Sequence, residues 1–427
     1  MIDAFRLPDL RKRILFTFGI LIAFRFIAHI PMPGVNGAAL ASFFEQNTLF
    51  SMLDMFSGGA MKNFSVAAMG VYPYITASII MTLMTPVIPK LQAMAEEGEA
   101  GRDRINRITH WLTIPIAGFA GYGQITLLRN AQTPVFQDLS GLTMVTMIIS
   151  LIAGTVFLIW LGELITEYGI GNGISIIIFG GIVAGYWQTF GSGFLTGQGQ
   201  VGGLIAYILI ALATVVIIVL FTEAHRRIPV QYARTVYRGN RMYKQQGSTH
   251  IPLRVNTAGM IPLIFAMSLT LFPGMIASYF MGPESAPNFA NTIYSIFQPN
   301  ADMPEGLIYW AIYFVLVIGF AFFYTMVIFQ QQDMAGTLQR QGGFVPGIRP
   351  GKYTSDYFNH VISRITWAGA LYLAFVAIIP FMAREITDVQ MIQLSSMGLL
   401  IVVGVTLDTM KQMEAQLTMR RYEGFIK

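Results

Sequence analysis

Apolar residues do not fall singly along this chain. They gather into long runs, separated by short polar or glycine-rich stretches. Ten runs, near residues 14–30, 66–89, 109–129, 142–165, 174–192, 202–222, 257–280, 306–329, 363–382 and 391–410, approach the length a membrane helix needs. That length is roughly 20 residues for a hydrocarbon core about 30 Å thick. None of the runs alternates apolar and polar residues in segments of about 10, as the strands of a membrane β-barrel do. The pattern predicts an all-α polytopic membrane protein with ten transmembrane helices.

One stretch breaks the pattern. Residues 50–65, FSMLDMFSGGAMKNFS, are greasy, yet too short, polar and glycine-rich to span. Leu49, Leu53 and Phe56 recur at helical spacing and predict a short amphipathic helix. Ser57, Gly58 and Gly59 stop it, because glycine admits the left-handed turn that ends a helix. Irregular backbone at membrane depth is tolerated only where it is buried in protein or lines a cavity. The segment is either a lid on the outer leaflet or a re-entrant plug of about residues 49–64.

Composition agrees with the membrane assignment: 54% of residues are hydrophobic and 11% charged, against about 25% charged in soluble domains. There are no cysteines, which excludes disulfides and thiol chemistry. The histidines (His29, His110, His225, His250, His360) are scattered without metal-site spacing. No nucleotide-binding or hydrolase motif is present, so neither an enzyme nor a cofactor is expected. The basic N-terminus leads into an apolar run without a small-residue cleavage site, which reads as a retained first helix.

Charge sets the topology. Of the 27 Lys and Arg residues, 23 fall on the side that carries both termini and 3 (Lys62, Arg129, Arg384) on the other, with Arg25 inside the first run. By the positive-inside rule both termini are cytosolic. Ten spans split into two inverted halves, residues 1–192 and 193–427, the second entering from the opposite face. Such halves also occur in secondary transporters, which are the alternative reading. Against a transporter, the spans carry no carboxylate at mid-depth, where ion-coupled carriers place one. Glu163, Glu167 and Asp408 sit at cytosolic span ends, and Arg25 reads as a snorkelling or structurally paired side chain. The cytosolic loops at about 223–256 and 330–362 are long, basic and rich in Gly, Pro, Tyr and Arg. They read as a docking surface for phosphates or carboxylates.

Several motifs carry a family resemblance. IPMPGV (30–35), MFSGGA (55–60), GIGNGISIIIF (169–179), STHIPLRVNTAGMIPLIFA (248–266), QGGFVPGIRPGK (341–352) and IVVGVTLDTMKQMEAQL (401–417) together resemble the SecY family, the pore-forming subunits of the bacterial Sec protein-conducting channel. The resemblance implies an hourglass pore with a plug on its outer side, at Leu53, Phe56, Ser57, Gly58 and Gly59. It implies an aliphatic ring at the waist, at Val71, Ile75, Ile79, Ile174, Ile178, Ile264 and Ile401. Val71 stands where some relatives have Ile, and Tyr168 where Arg is expected. The resemblance also implies a lateral gate between spans 2 and 7 that releases transmembrane segments into lipid. Asn256 resembles a polar gate residue, and the hydroxyls of Ser78 and Thr82 are its candidate partners. Arg349 resembles the loop arginine that faces a ribosome or a SecA-like motor ATPase, with Arg238 and Arg241 as its counterparts. SecE-like and SecG-like subunits, secretory and membrane-protein substrates, and the bacterial inner membrane complete the expectation.

Overall fold

The computed structural model describes residues 7–46, 54, 57–129, 135–136, 140–196, 201–238, 241–280, 288–297, 305–332, 334–387 and 396–423. Leu49, Leu53 and Phe56 lie outside the described residues. In chain order the helices are α1 (Pro8–Ala28), α2 (Gly37–Gln46), α3 (Tyr72–Met84), α4 (Pro89–Glu96), α5 (Glu99–Arg129), α6 (Gly141–Tyr168), α7 (Gly173–Thr196), α8 (Val201–Glu223), α9 (Ile261–Tyr279), α10 (Phe289–Ile296), α11 (Glu305–Gln332), α12 (Met334–Arg340), α13 (Lys352–Thr387) and α14 (Ser396–Glu423). The strands are β1 (His225–Arg238), β2 (Arg241–Arg254) and β3 (Gly343–Phe344).

Each of the ten apolar runs falls on a helix: α1, α3, α5 to α9, α11, α13 and α14. Proline sits in the first turn of α1, α3, α4 and α9, where its missing amide has no helical partner to lose. Ser140 caps α6 by accepting from the Thr143 amide at 3.3 Å, and Asn172 caps α7 through the Ser175 amide at 3.1 Å. Inside the apolar helices the hydroxyls of Thr113, Thr214, Thr270, Thr325 and Thr366 each donate to the carbonyl one turn earlier. No polar group is thereby presented to lipid.

The second run departs from expectation. It reads as one span over 66–89, but its helix α3 has only 13 residues, about 20 Å of rise. Residues 66–71 are turns, and α4 leaves α3 at 96°. Pro86, in the break, offers no amide to continue the helix. By length and composition alone, three of the described stretches (Gly141–Tyr168, Gly306–Arg340 and Lys352–Ala383) are sufficient to cross a membrane, and the bent α3–α4 pair makes a fourth. The figure of ten crossings therefore remains a sequence expectation.

Helix packing repeats. In the first five long helices, α3 packs on α5, α5 on α6, α6 on α7, and α1 on both α6 and α7. In the second five, α9 packs on α11, α11 on α13, α13 on α14, and α8 on both α13 and α14. Each pairing in one set has its counterpart in the other. The sets meet chiefly where α7 lies on α14.

The basic loops are not loops. Residues 225–254 form a regular antiparallel hairpin, with His225 opposite Arg254 at its base and Arg238 opposite Arg241 at its far end. Fourteen residues per strand at about 3.4 Å each give a ribbon about 45 Å long. β3 adds to β1 at Gln231 and Tyr232, so the two basic segments become one unit. Ile228, Val230 and Leu253 point from the hairpin into a small core with Leu338, Val345, Phe358 and Ile362. Two ion pairs fix the hairpin base to α14: Glu223 to Lys411 at 2.7 Å and Arg254 to Asp408 at 3.9 Å.

Candidate plug and pore

Of the segment between α1 and α3, Asp54, Ser57, Gly58, Ala60 and Met61 are buried. Asp54 is buried, and its Oδ1 accepts from the amides of Met61 and Lys62, both at 3.0 Å. The Ser57 hydroxyl lies 2.9 Å from the Asp54 carbonyl and 3.2 Å from Oδ1, and accepts from Met61 N at 3.1 Å. Lys62 Nζ stands 3.9 Å from the other carboxylate oxygen. These bonds join Asp54 and residues 57–62 into a turn whose polar groups satisfy one another, as burial requires. Gly58 and Gly59, at φ +67° and +85°, supply the left-handed backbone.

The turn is seated on four helices. From α1, Arg25 Nη1 donates to the Gly58 carbonyl, and Phe24 lies against Gly58. On α7, Gly181 abuts Gly58 so closely that a Cβ on Gly58 would sit 2.7 Å from the Gly181 Cα. Gln124 Nε2 of α5 approaches Met61 Sδ at 3.8 Å, and Gly154 of α6 receives the Val66 backbone. Asn63 Nδ2 donates to Ala28 O at 3.3 Å, and Met32 N donates to Phe64 O at 3.1 Å. Phe64 is buried in a left-handed conformation, φ 42°, edge-on to Phe136.

The candidate ring residues come from α7, α9, α14 and the α3 region. Val71, Ile178, Ile264 and Ile401 are buried, and Ile75, Ile79 and Ile174 pack half-buried on the same continuous apolar cluster. Gly181 lies three residues beyond Ile178, so the Gly58 turn sits about one helical turn from that side chain. Ile174, one turn before Ile178 on α7, has its side chain against Gly162 of α6. Ile182, one turn after Ile178 on the same face, is fully buried in the cluster. The i, i+4 spacing of IIIFGGI carried that signal, and the sequence reading passed over it.

The gate residues are not brought together by hydrogen bonds. Thr82 donates to the Ser78 carbonyl of its own helix at 2.8 Å, and the described residues show no bond from either side chain to Asn256. Asn256 is half-buried in the link between β2 and α9. α3 packs on α5 and lightly on α6, and has no extensive contact with α9. Among the described residues the two sets pack most extensively where α7 lies on α14, and α3 and α9 share no contact of that extent.

The arginines lie on the hairpin unit. Arg349 is exposed in the turn after β3, where its carbonyl accepts from the Thr354 hydroxyl at 2.9 Å. Arg238 and Arg241 pair as the last rung of the ribbon. At the α6 terminus, Tyr168, where the resemblance led to an expectation of Arg, meets Phe16 edge-on at 6.1 Å. Asp54 and Arg25 are the residues whose partners sequence reasoning missed. Their contacts span local turn geometry and 33 positions of chain respectively, and no pattern in the sequence joins Arg25 to Gly58.

A family model described as SecY matches residues 65–410. The chain belongs to the SecY family. A curated relative, Protein translocase subunit SecY of Halalkalibacterium halodurans, is 43% identical over 435 residues, covering 100% of this chain and 99% of the relative. The protein of that name from Streptomyces scabiei is 41% identical, covering 99% of this chain and 98% of its own. Among solved structures, one described as "The structure of a protein conducting channel" aligns with TM-score 0.65 at 17% identity, over 95% of this chain and 92% of that one. One described as "Sec61 in the Canine ribosome-channel complex from the endoplasmic reticulum" aligns with TM-score 0.64 at 16% identity, over the same shares. At such identities the likeness is one of fold.

Proposed function

We propose that this chain is the pore-forming subunit of a protein-conducting channel. It passes unfolded secretory polypeptides across the membrane and releases apolar segments sideways into lipid. One observation supports this most: an irregular, self-satisfied turn is seated inside the bundle one helical turn from Ile178. A turn there serves as a movable stopper for a path between the two halves, residues 1–192 and 193–427. The waist is Val71, Ile75, Ile79, Ile178, Ile264 and Ile401, with Ile174 as its lower support. An aliphatic constriction dewets and blocks ions, and it offers a passing chain no hydrogen bond to stick to.

The lateral gate lies between α3 and α9. Interhelical polar contacts in membranes are worth about 1 kcal/mol, so a gate closed without a bond among Ser78, Thr82 and Asn256 opens at small cost. The hairpin unit, with Arg238, Arg241 and Arg349, docks the ribosome or a SecA-like motor. SecE-like and SecG-like subunits accompany the chain in the bacterial inner membrane, with both termini cytosolic. The transporter alternative finds no support: Asp54, though buried, is occupied by the amides and cation of its own turn. The test is reconstitution of the chain with its membrane subunits, the motor, ATP and a precursor bearing a signal sequence. ATP-dependent protection of the precursor from added protease is expected, and a precursor left wholly accessible refutes the proposal.

A further inference from the structure

The buried turn is held by something other than apolar contact. Arg25 lies in the last turn of α1, three residues before Ala28, and its guanidinium reaches across to the turn, donating to the Gly58 carbonyl. It also attracts Asp54, whose carboxylate organises that turn. A cation on an apolar helix is kept where it finds an acceptor and an opposite charge. The Gly58 carbonyl points at Arg25 because Gly58 is left-handed, and Gly58 must be glycine because Gly181 leaves no room for a side chain. At the other end of the turn Phe64 is held at φ 42°, a conformation costly to a non-glycine residue. The segment's other polar contacts with its surroundings are neutral, from Gln124 to Met61 Sδ, from Asn63 to Ala28 O and from Met32 N to Phe64 O. Among the described residues Arg25 therefore supplies the charge-assisted tether from a helix to the turn, beside a strained exit.

We propose that Arg25 is the latch of the plug, a positioning residue that keeps the 57–62 turn in its seat at rest and must release Gly58 for the path to open. This rests on the channel reading above. It adds that the closed state depends on one charge-assisted bond from α1 to a backbone carbonyl, so that a shift of α1 against α7 is enough to unseat the turn.

The chain has no cysteine, so a single introduced thiol is an unambiguous reporter. Ala60 is fully buried in the turn. With Ala60→Cys alone, in membranes holding the full complex, a membrane-impermeant maleimide should label slowly. With Arg25→Met added, which keeps length but removes the donor, labelling should be at least tenfold faster. Arg25→Lys, which keeps the charge but loses the planar fork, should fall between them and carries the test if the Met variant does not accumulate. Labelling as slow as in the Ala60→Cys parent, in whichever of the two variants accumulates, overturns the latch. Precursor transport measured in the same membranes separates the two readings. Fast labelling with no transport even in the Ala60→Cys parent refutes the channel and keeps the latch, whereas normal transport with unchanged labelling does the reverse.

Discussion

Gly58 and Gly181 meet backbone to backbone, the first in a buried turn and the second in the middle of α7. A Cβ on Gly181 would lie 2.9 Å from the Gly58 Cα, with the Phe24 ring closing the same space. The turn thus fits its seat only because both partners lack side chains, as close helix contacts in membranes require. This contact ties the closed path to residues 123 positions apart, and it makes the seat sensitive to volume.

Gly181→Leu should therefore push the turn out. Overpacking a tight contact costs about 1–3 kcal/mol, roughly a 5- to 150-fold shift toward the unseated state. Resting conductance across a planar bilayer should rise accordingly, and defective signal sequences should be accepted more readily. Conductance unchanged from the parent would mean that the Gly58–Gly181 contact seals nothing.

Replacing Ile75 and Ile178 together with Asn should also make the resting channel leak. Asn is smaller than isoleucine and polar, so the constriction loosens and its wetting becomes favourable. Each amide buried without a partner costs about 1–3 kcal/mol, so water enters to satisfy it. Single-channel recording without substrate is the measurement. A variant as silent as the parent makes these side chains ordinary packing.

Arg349→Glu should impair transport without disturbing the fold. The side chain is exposed, and surface changes of this kind alter stability by about 0.5 kcal/mol or less. Reversal of charge at a docking site costs several kcal/mol of binding. Motor or ribosome affinity should fall by at least about tenfold, measured by titration onto reconstituted channels. Unchanged affinity removes this turn from the docking surface.

Lys411→Glu should loosen the hairpin base, and adding Glu223→Lys should restore it. The pair is half-exposed, so its worth is about 0.2–1 kcal/mol. The readout is hydrogen exchange at the Val255 amide, which donates to Ala224 O at 2.9 Å. Exchange should accelerate up to about fivefold in the single variant and recover in the double. Equal rates in all three proteins would show that α14 does not support the ribbon.

The helices were legible because long apolar runs have few other fates. The turn at Ser57, Gly58 and Gly59 was legible because glycines inside a greasy segment mark a left-handed break. The hairpin was hidden by composition: arginines, Pro229 and Pro252 read as loop. Yet Ile228 and Val230 on β1 and Ile251 and Leu253 on β2 alternate with polar or proline residues, and the sequence pair Gly239-Asn240 is of a kind that signals a two-residue hairpin. Two halves were expected from the span count, but the helix pairings that recur in both were not legible, because they depend on which helix faces bring small residues together, as at Gly162 and Gly173 between α6 and α7. Partner choices such as Arg25 to Gly58 follow from the assembled fold and leave no local trace.

The central claim is that a polypeptide passes between the two helix sets at the level of Ile178. A photoreactive residue placed singly at Ile178, Ile264 or Ile401, with a precursor arrested in transit, tests it directly. The account predicts precursor adducts at all three buried positions, and none at Phe18 on the exposed face of α1. Adducts to the precursor at Phe18 and to neither Ile178 nor Ile401 would contradict it.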